Sequence, residues 1–112
     1  MTWFRLDDTF GNHPKVHQAG NAAVGLWVRC GTYSAAYLLD GRVPNKVVTE
    51  YGTTAEIDAC TDAGLWVRNG TGFVIPDYLD FNPSKEQVLA DRAAMAERQR
   101  RRRRNVSNGQ YE

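Results

Sequence analysis

The octapeptide GLWVRNGT at residues 64–71 repeats GLWVRCGT at residues 25–32 with one change. A shift of 39 residues aligns the two copies, yet residues 11–24 share no position with residues 50–63. A duplicated domain would leave traces outside the octapeptide, so the repeat does not indicate internal duplication. The flanking sequences therefore decide what each copy becomes.

The first copy lies in a stretch with helical spacing. Its apolar residues recur every three or four positions, which predicts an amphipathic helix from about Asn21 to Leu39. Asn21 is suited to cap the start of this helix, and Asp40-Gly41 is suited to end it. The residues predicted to face inward are Ala23, Leu26, Trp27, Cys30, Tyr33 and Tyr37.

The second copy runs into a turn sequence. Alternation interrupted by Asn69-Gly70 is a strong short-range signal for a β-hairpin. The same string is therefore predicted to be helix once and strand plus turn once. In this alternation one set of positions is Leu65, Val67, Phe73 and Ile75, and the positions between them are Trp66, Arg68 and Val74.

The segment between the copies predicts a short strand and two helices. Residues 41–44 suggest an extended stretch, and Asn45 is predicted to cap a short helix through Tyr51 that Gly52 ends. Thr53 and Glu56 form a capping-box pattern before a helix of about 54–63, with Gly64 in the left-handed closing position. A long helix, a strand, two helices and a hairpin, in that order, predict an α+β winged helix-turn-helix.

Further elements are predicted on both sides. Residues 3–6 suggest a strand, and residues 13–16 a loop that enters a short helix. Asn82, Pro83 and a Ser-x-x-Gln pattern at 84–87 predict a helix that runs from about Pro83 into the arginines. Because the apolar positions of that helix stop at Ala96, we expect one domain over residues 1–97. Residues 98–112 are then a basic tail, flexible or partly helical.

The charge is divided along the chain. The net charge is +1, but residues 98–112 carry +5 and the other 97 residues carry −4. Arginine matches phosphate in bidentate geometry, so the tail predicts nucleic-acid affinity without sequence preference. RNA and an acidic protein, including a second copy of this chain, are the alternatives. The arginines are Arg98, Arg100, Arg101, Arg102, Arg103 and Arg104.

Several motifs together resemble a known group of proteins. They are WFRLDDTFGNHPKV (3–16), GLWVRCGTYSA (25–35), LLDGRVP (38–44), DAGLWVRNGTGFVIPDYLDFNPSKEQV (62–88) and the arginine-rich finish. In these motifs the chain resembles small proteins of actinobacterial phages described as helix-turn-helix or replication-initiation-like, akin to the N-terminal winged-helix domains of phage replisome organisers. The resemblance implies a module that works on phage DNA in replication or transcription control.

The helix that would read DNA is acidic. Residues 54–63 contain Glu56, Asp58 and Asp62 and no basic side chain, although base edges and phosphates call for donors. In one interpretation DNA is met by Lys46, Arg68 and Asn69, on the preceding helix and the hairpin. In the other, the acidic helix contacts a protein, as in a phage modulator of a host protein or a helicase-loading adaptor. The partner would then be a host protein or a host or phage replication protein. We favour duplex DNA over single strands or RNA.

Catalysis, metal binding and membrane insertion are not indicated. Asp7, Asp8 and His13 lack a nucleophile or phosphate-loop motif beside them, so we expect no enzyme and no cofactor. His13 and His17 with Cys30 and Cys60 lack the spacing of a structural zinc site.

The three tryptophans, Trp3, Trp27 and Trp66, are expected in the core rather than on a surface that stacks with bases.

The sequence also bears on cellular location. No stretch suggests a signal peptide or approaches the ~20 apolar residues of a membrane span, so we expect a cytoplasmic protein. The resemblance to phage proteins implies the cytoplasm of the host cell. An oligomer is compatible with all of this.

Overall fold

A computed structural model describes residues 2–107 and confirms a mixed α+β fold. The chain forms a short 3₁₀ helix (Phe10–Asn12), six α-helices and three strands within that range. In order these are α1 (Pro14–Ala19), α2 (Asn21–Ala36), β1 (Arg42–Pro44), α3 (Asn45–Tyr51), α4 (Thr54–Ala63), β2 (Val67–Asn69), β3 (Gly72–Val74), α5 (Tyr78–Phe81) and α6 (Lys85–Ser107). No helix in residues 2–107 has the length and apolar character needed to cross a membrane.

Helix α2 contains the first octapeptide but ends three residues earlier than predicted. Leu38 and Asp40 have φ angles of 57° and 56°, so the backbone leaves the helical region after Ala36. Gly20, not Asn21, precedes the first turn, with φ 83° and no side-chain cap. The predicted cap at Asn21 is therefore wrong, because α1 ends immediately before Gly20 and leaves Asn21 inside the helix.

The two helices after β1 begin and end largely where the sequence predicted. Thr53 Oγ1 accepts from the Glu56 N–H, and Glu56 Oε1 accepts from the Thr53 N–H at 2.8 Å, so the capping box is confirmed. Gly64 closes α4 with φ 80°. The predicted cap at Asn45 is wrong: Pro44 holds the N-cap position and Asn45 is the first helical residue.

The hairpin forms one antiparallel sheet with β1, in the order β1-β3-β2. Val43 and Phe73 pair and are both buried, whereas Val67 is exposed. Leu65 and Trp66 are both buried because they precede β2, where alternation does not yet apply. The predicted hairpin is confirmed, but the predicted alternation fails at Trp66 and Val67.

The N-terminal segment packs on the core without forming the strand predicted at residues 3–6. The N–H of Arg5 donates to the side-chain oxygen of Asn82 at 2.8 Å, so a side chain takes the place of a strand partner. Phe4 contacts Gly31 closely, and its ring centre lies 5.1 Å from that of Trp27. Trp27 and Trp66 are core residues as predicted, but Trp3 is 70% exposed because Phe4 fills the site against the core.

Helix α6 starts two residues later than predicted. It begins at Lys85 rather than Pro83. The side chain of Asn82, the predicted cap, is buried and hydrogen-bonded to Arg5 and Tyr78, so it does not cap the helix. Asp40 Oδ1 accepts from the Lys85 N–H at 2.7 Å, and Ser84 Oγ accepts from the Gln87 N–H. The helix runs into the arginines as predicted and continues to Ser107, so residues 98–107 of the predicted tail are helical. The last five residues of the predicted tail, 108–112, lie outside the described range.

Candidate nucleic-acid interface

The hairpin turn and the start of α3 form one end of the domain. The Asn45 N–H donates to the Thr71 carbonyl at 3.0 Å, which joins the first residue of α3 to the turn. Between them lies an open groove. The residues that line it are Asn45, Arg68, Asn69, Gly70, Thr71 and Gly72.

Arg68 is held at this groove by an aromatic contact. Its guanidinium carbon lies 4.7 Å from the ring centre of Phe73, the residue directly opposite it in the sheet. Phe73 is only 1% exposed, so the arginine covers the outer edge of the core. A guanidinium over an aromatic face keeps its N–H donors free for other partners. Arg68 is thus an exposed cation with a defined direction.

The other two predicted DNA contacts are also exposed. Asn69 ends β2 opposite Gly72 and lines the groove. Lys46 follows Asn45 in the first turn of α3 and does not line the groove itself. The structure therefore brings Arg68 and Asn69 together and places Lys46 one residue beyond the groove wall.

Helix α4 presents an acidic outer face. It packs against α1 and α2, with Ile57 and Cys60 buried, and leaves Asp58 and Asp62 exposed one turn apart. Glu56 is different, because the Thr53 backbone and hydroxyl donate to its carboxylate and hold its pKa below the ordinary value. Of the three predicted acidic contacts, Asp58 and Asp62 are available to a partner, whereas Glu56 is engaged in the cap.

The arginine-rich end of α6 is remote from the core. Val88 is the last described residue of the helix that is buried, and every side chain from Leu89 to Ala96 is exposed. Glu97 accepts from Arg100 at 2.6 Å and lies 3.3 Å from Arg101. The hydrogen bond from Arg100 is the main reason that the pKa of Glu97 is lowered. All six predicted arginines therefore lie on one continuous helix that projects from the body.

A second arginine lies against aromatic rings, this time in the first copy of the octapeptide. The guanidinium carbon of Arg29 is 4.2 Å from the ring centre of Tyr51, and Tyr33 packs on both Tyr51 and Tyr37. The prediction that Tyr37 faces inward is wrong: it is 64% exposed, because α2 has already ended. The i, i+4 spacing of Arg29 and Tyr33 is the sequence signal that these two side chains share a face of α2.

The N-terminal segment and the body enclose a cavity of about 200 Å³. Its aromatic lining is Phe4, Phe10, Trp27, Tyr78 and Phe81, and its charged lining includes Arg5, Asp7, Lys15 and Asp77. Sequence reasoning did not identify this cavity, since chain segments far apart in sequence form it.

The two cysteines considered for a metal site belong to the hydrophobic core. Cys30 and Cys60 are buried, and burial raises the pKa of each thiol to about 12. The Cys60 thiol donates to the Ala23 carbonyl at 3.1 Å, and His13 Nδ1 accepts from the Lys15 N–H. Within residues 2–107, no three His, Cys, Asp or Glu side chains converge as metal ligands would.

Comparison with known proteins adds no family assignment: no family model, curated protein or solved structure matches the chain. Geometry and charge must therefore support any function. The exposed cations at the hairpin and on α6 and the acidic face of α4 are the features to interpret.

Proposed function

We propose that the protein is a non-enzymatic DNA-binding winged helix-turn-helix protein. In this proposal α2, α3 and α4 are the three helices, β1 is the intervening strand and the β2–β3 hairpin is the wing. The sequence resemblance supports a role in phage replication initiation or transcription control, in the host cytoplasm. A fold of this kind serves several functions, so DNA binding depends on the residues of the site.

One observation carries the proposal. The groove between the hairpin turn and α3 has Arg68 directed by Phe73 and Asn69 beside it, while α4 carries no basic side chain. A phosphate needs donors, and carboxylates such as Asp58 and Asp62 repel it. DNA contact is therefore assigned to the wing and the start of α3, with α4 turned away from the phosphates.

The arginines of α6 supply the general part of the affinity. Six cations against phosphates release counterions, which gives binding that is strong, salt-dependent and largely independent of sequence. The body of the protein is acidic and cannot supply this term by itself. In the proposed division, α6 provides affinity while Lys46, Arg68 and Asn69 provide register on the duplex.

A charge-reversal pair tests the proposal. Lys46→Glu with Arg68→Glu is expected to weaken duplex binding, measured by fluorescence anisotropy at fixed salt. The matched control is Arg5→Glu with Arg92→Glu, two exposed arginines outside the groove whose reversal changes the net charge equally. Circular dichroism verifies that both double variants fold. Equal loss in the two double variants would mean that only net charge matters, and the wing assignment would be wrong.

A second function is favoured by the acidic face of α4. Asp58 and Asp62 are exposed one turn apart on α4, and this helix carries no basic side chain. Such a surface suits contact with a basic surface of a replication protein. Asp58→Lys with Asp62→Lys distinguishes the two functions. In the DNA proposal this change leaves duplex affinity equal or stronger, because two repulsive charges are removed. In the protein-contact alternative it disrupts a complex with a phage or host replication protein, while Lys46→Glu with Arg68→Glu has little effect on that complex.

A further inference from the structure

We infer that residues 98–104 of α6, here called the arginine segment, bind duplex DNA as an intact helix lying in the major groove. This inference rests on the proposed DNA-binding function and names the ligand form and the binding mode. It differs from attachment by a flexible tail, which would need charge but no helix. Charge density, the angular distribution of the arginines and the position of the segment carry it.

The charge density of the arginine segment matches a duplex. From Arg98 to Arg104 an α-helix rises about 9 Å, so the six arginines supply one positive charge per about 1.5 Å. Duplex DNA carries one phosphate charge per about 1.7 Å of its axis when both strands are counted. One strand alone has a phosphate only every 3.4 Å or so. A duplex can therefore pair with all six arginines, whereas a single strand can pair with about half.

The arginines surround the helix. At about 100° per residue they fall at six different angles around the axis, and no side of the helix is left without one. A helix bound on a flat surface would use only the arginines on one side. In a groove with phosphates along both walls, side chains on opposite sides of the helix reach opposite strands. The arrangement therefore suits a groove rather than a surface.

The dimensions select the major groove of DNA. An α-helix with its side chains is about 10–12 Å wide, close to the ~12 Å of the B-DNA major groove. The ~6 Å minor groove is too narrow, and the deep, narrow major groove of an RNA duplex does not admit it readily. Duplex DNA is thus the nucleic acid that the helix fits.

The structure leaves the arginine segment free to enter a groove. Arg98 lies about 15 Å along the helix from Val88, the last described residue that is buried, and Arg104 about 24 Å. This length of helix between Val88 and the arginine segment separates the body of the protein from the DNA. Glu97 contacts Arg100 and Arg101 at the near end of the segment and supports the helix through i+3 and i+4 pairs.

A proline substitution separates helix from charge. Gln99→Pro breaks the helix inside the arginine segment and keeps all six arginines, and Gln99→Ala keeps both. Binding of the full chain to a 20-base-pair duplex and to a 20-nucleotide single strand is measured against salt, with helicity followed by circular dichroism. For the parent and Gln99→Ala we expect log K against log salt to have a slope near −5 on duplex and about −2 on the single strand. Gln99→Pro should reduce the duplex slope by about 2, equal to two lost phosphate contacts.

The groove is identified with modified duplexes. Bulky substituents at the 5-position of pyrimidines project into the major groove and should weaken binding, while a minor-groove ligand such as netropsin should not. Equal slopes for Gln99→Pro and Gln99→Ala, or indifference to major-groove substituents, would overturn the helical mode while duplex binding itself persists. Absence of any duplex binding by the parent chain would instead overturn the proposed function together with this inference.

Discussion

The indole nitrogen of Trp27, in the first octapeptide, donates a 3.0 Å hydrogen bond to the backbone carbonyl of Leu65, in the second. The two copies of the repeat thus contact each other where the helix approaches the hairpin. Trp27 is buried, and Phe4 and Phe10 pack on its ring. Its loss should therefore affect both the core and the junction between the two octapeptides.

Trp27→Ala is expected to lower the free energy of unfolding by about 3–5 kcal/mol, since a large buried ring is removed and a cavity remains. Trp27→Phe keeps an aromatic ring but leaves the Leu65 carbonyl without its donor, which should cost about 1–3 kcal/mol. Urea denaturation followed by circular dichroism measures both. A loss below about 1 kcal/mol for the alanine variant would show that Trp27 is not a core residue.

Gly72→Ala should destabilise the sheet. A Cβ at this position would collide with the Val43 carbonyl and the Asn45 backbone, which belong to the pairing of β1 with β3 and the start of α3. We expect a loss of about 2 kcal/mol, as for an overpacked interior site. Gly70→Ala is the matched control, because a Cβ there would meet no atom of another described residue within 4 Å beyond its chain neighbours. Equal thermal midpoints for the two variants would contradict the close approach at Gly72.

Thr53→Ala should cost about 1 kcal/mol of stability, because it removes the hydroxyl that accepts from the Glu56 N–H at the start of α4. Thr53→Ser retains that hydroxyl and should stay close to the parent. Chemical denaturation of the parent, Thr53→Ala and Thr53→Ser, fitted with one common m-value, gives the differences in the free energy of unfolding. If serine and alanine are equally destabilising, the side chain of Thr53 does not cap α4.

The capping box also predicts a pH dependence. Two hydrogen bonds from Thr53 lower the pKa of Glu56 below its ordinary 4.5. The backbone N–H has the larger effect and the hydroxyl the smaller. A carboxyl with a depressed folded-state pKa stabilises the fold above its unfolded pKa, and that contribution is lost as the pH falls through the folded-state value. The parent should therefore lose stability relative to Glu56→Gln below about pH 4.5. A difference between the two proteins that stays constant from pH 7 to pH 3 or so would exclude a pKa shift at Glu56.

Glu97→Gln is expected to strengthen duplex binding. The Glu97 carboxylate holds Arg100 and Arg101, and its removal frees two cations for phosphate and deletes one repulsive charge. Glu86→Gln makes the same charge change at the start of α6 and serves as the control. Anisotropy titrations should show a larger gain for Glu97→Gln. Identical gains would indicate that only net charge acts.

Local patterns predicted much of the fold. The capping box of Thr53 and Glu56, the closing glycine Gly64 and the turn at Asn69-Gly70 involve residues only a few positions apart. Their hydrogen bonds depend on short-range sequence, which is why these elements were found at or near their predicted places. The exposure of Lys46, Arg68 and Asn69 followed from the same local reasoning.

At the start of α6 the prediction failed because distant segments compete for the same group. Asn82 was expected to cap a helix, but its side chain accepts from Arg5 and donates to the Tyr78 carbonyl. Asp40, 45 residues away along the chain, accepts from the first N–H of α6 instead. In the candidate site, the packing of Arg68 on Phe73 likewise required the register of the sheet.

The two octapeptides show what the local sequence decides and what the tertiary structure decides. Sequence alone predicted that one copy is helix and the other hairpin, because helical spacing and an Asn-Gly turn act within a few residues. Only the tertiary structure decided that Trp27 reaches Leu65, that Phe4 rather than Trp3 packs on the core, and that Arg29 and Arg68 lie on Tyr51 and Phe73. Burial and side-chain partners depend on which distant surfaces meet, and a local pattern contains no information about that.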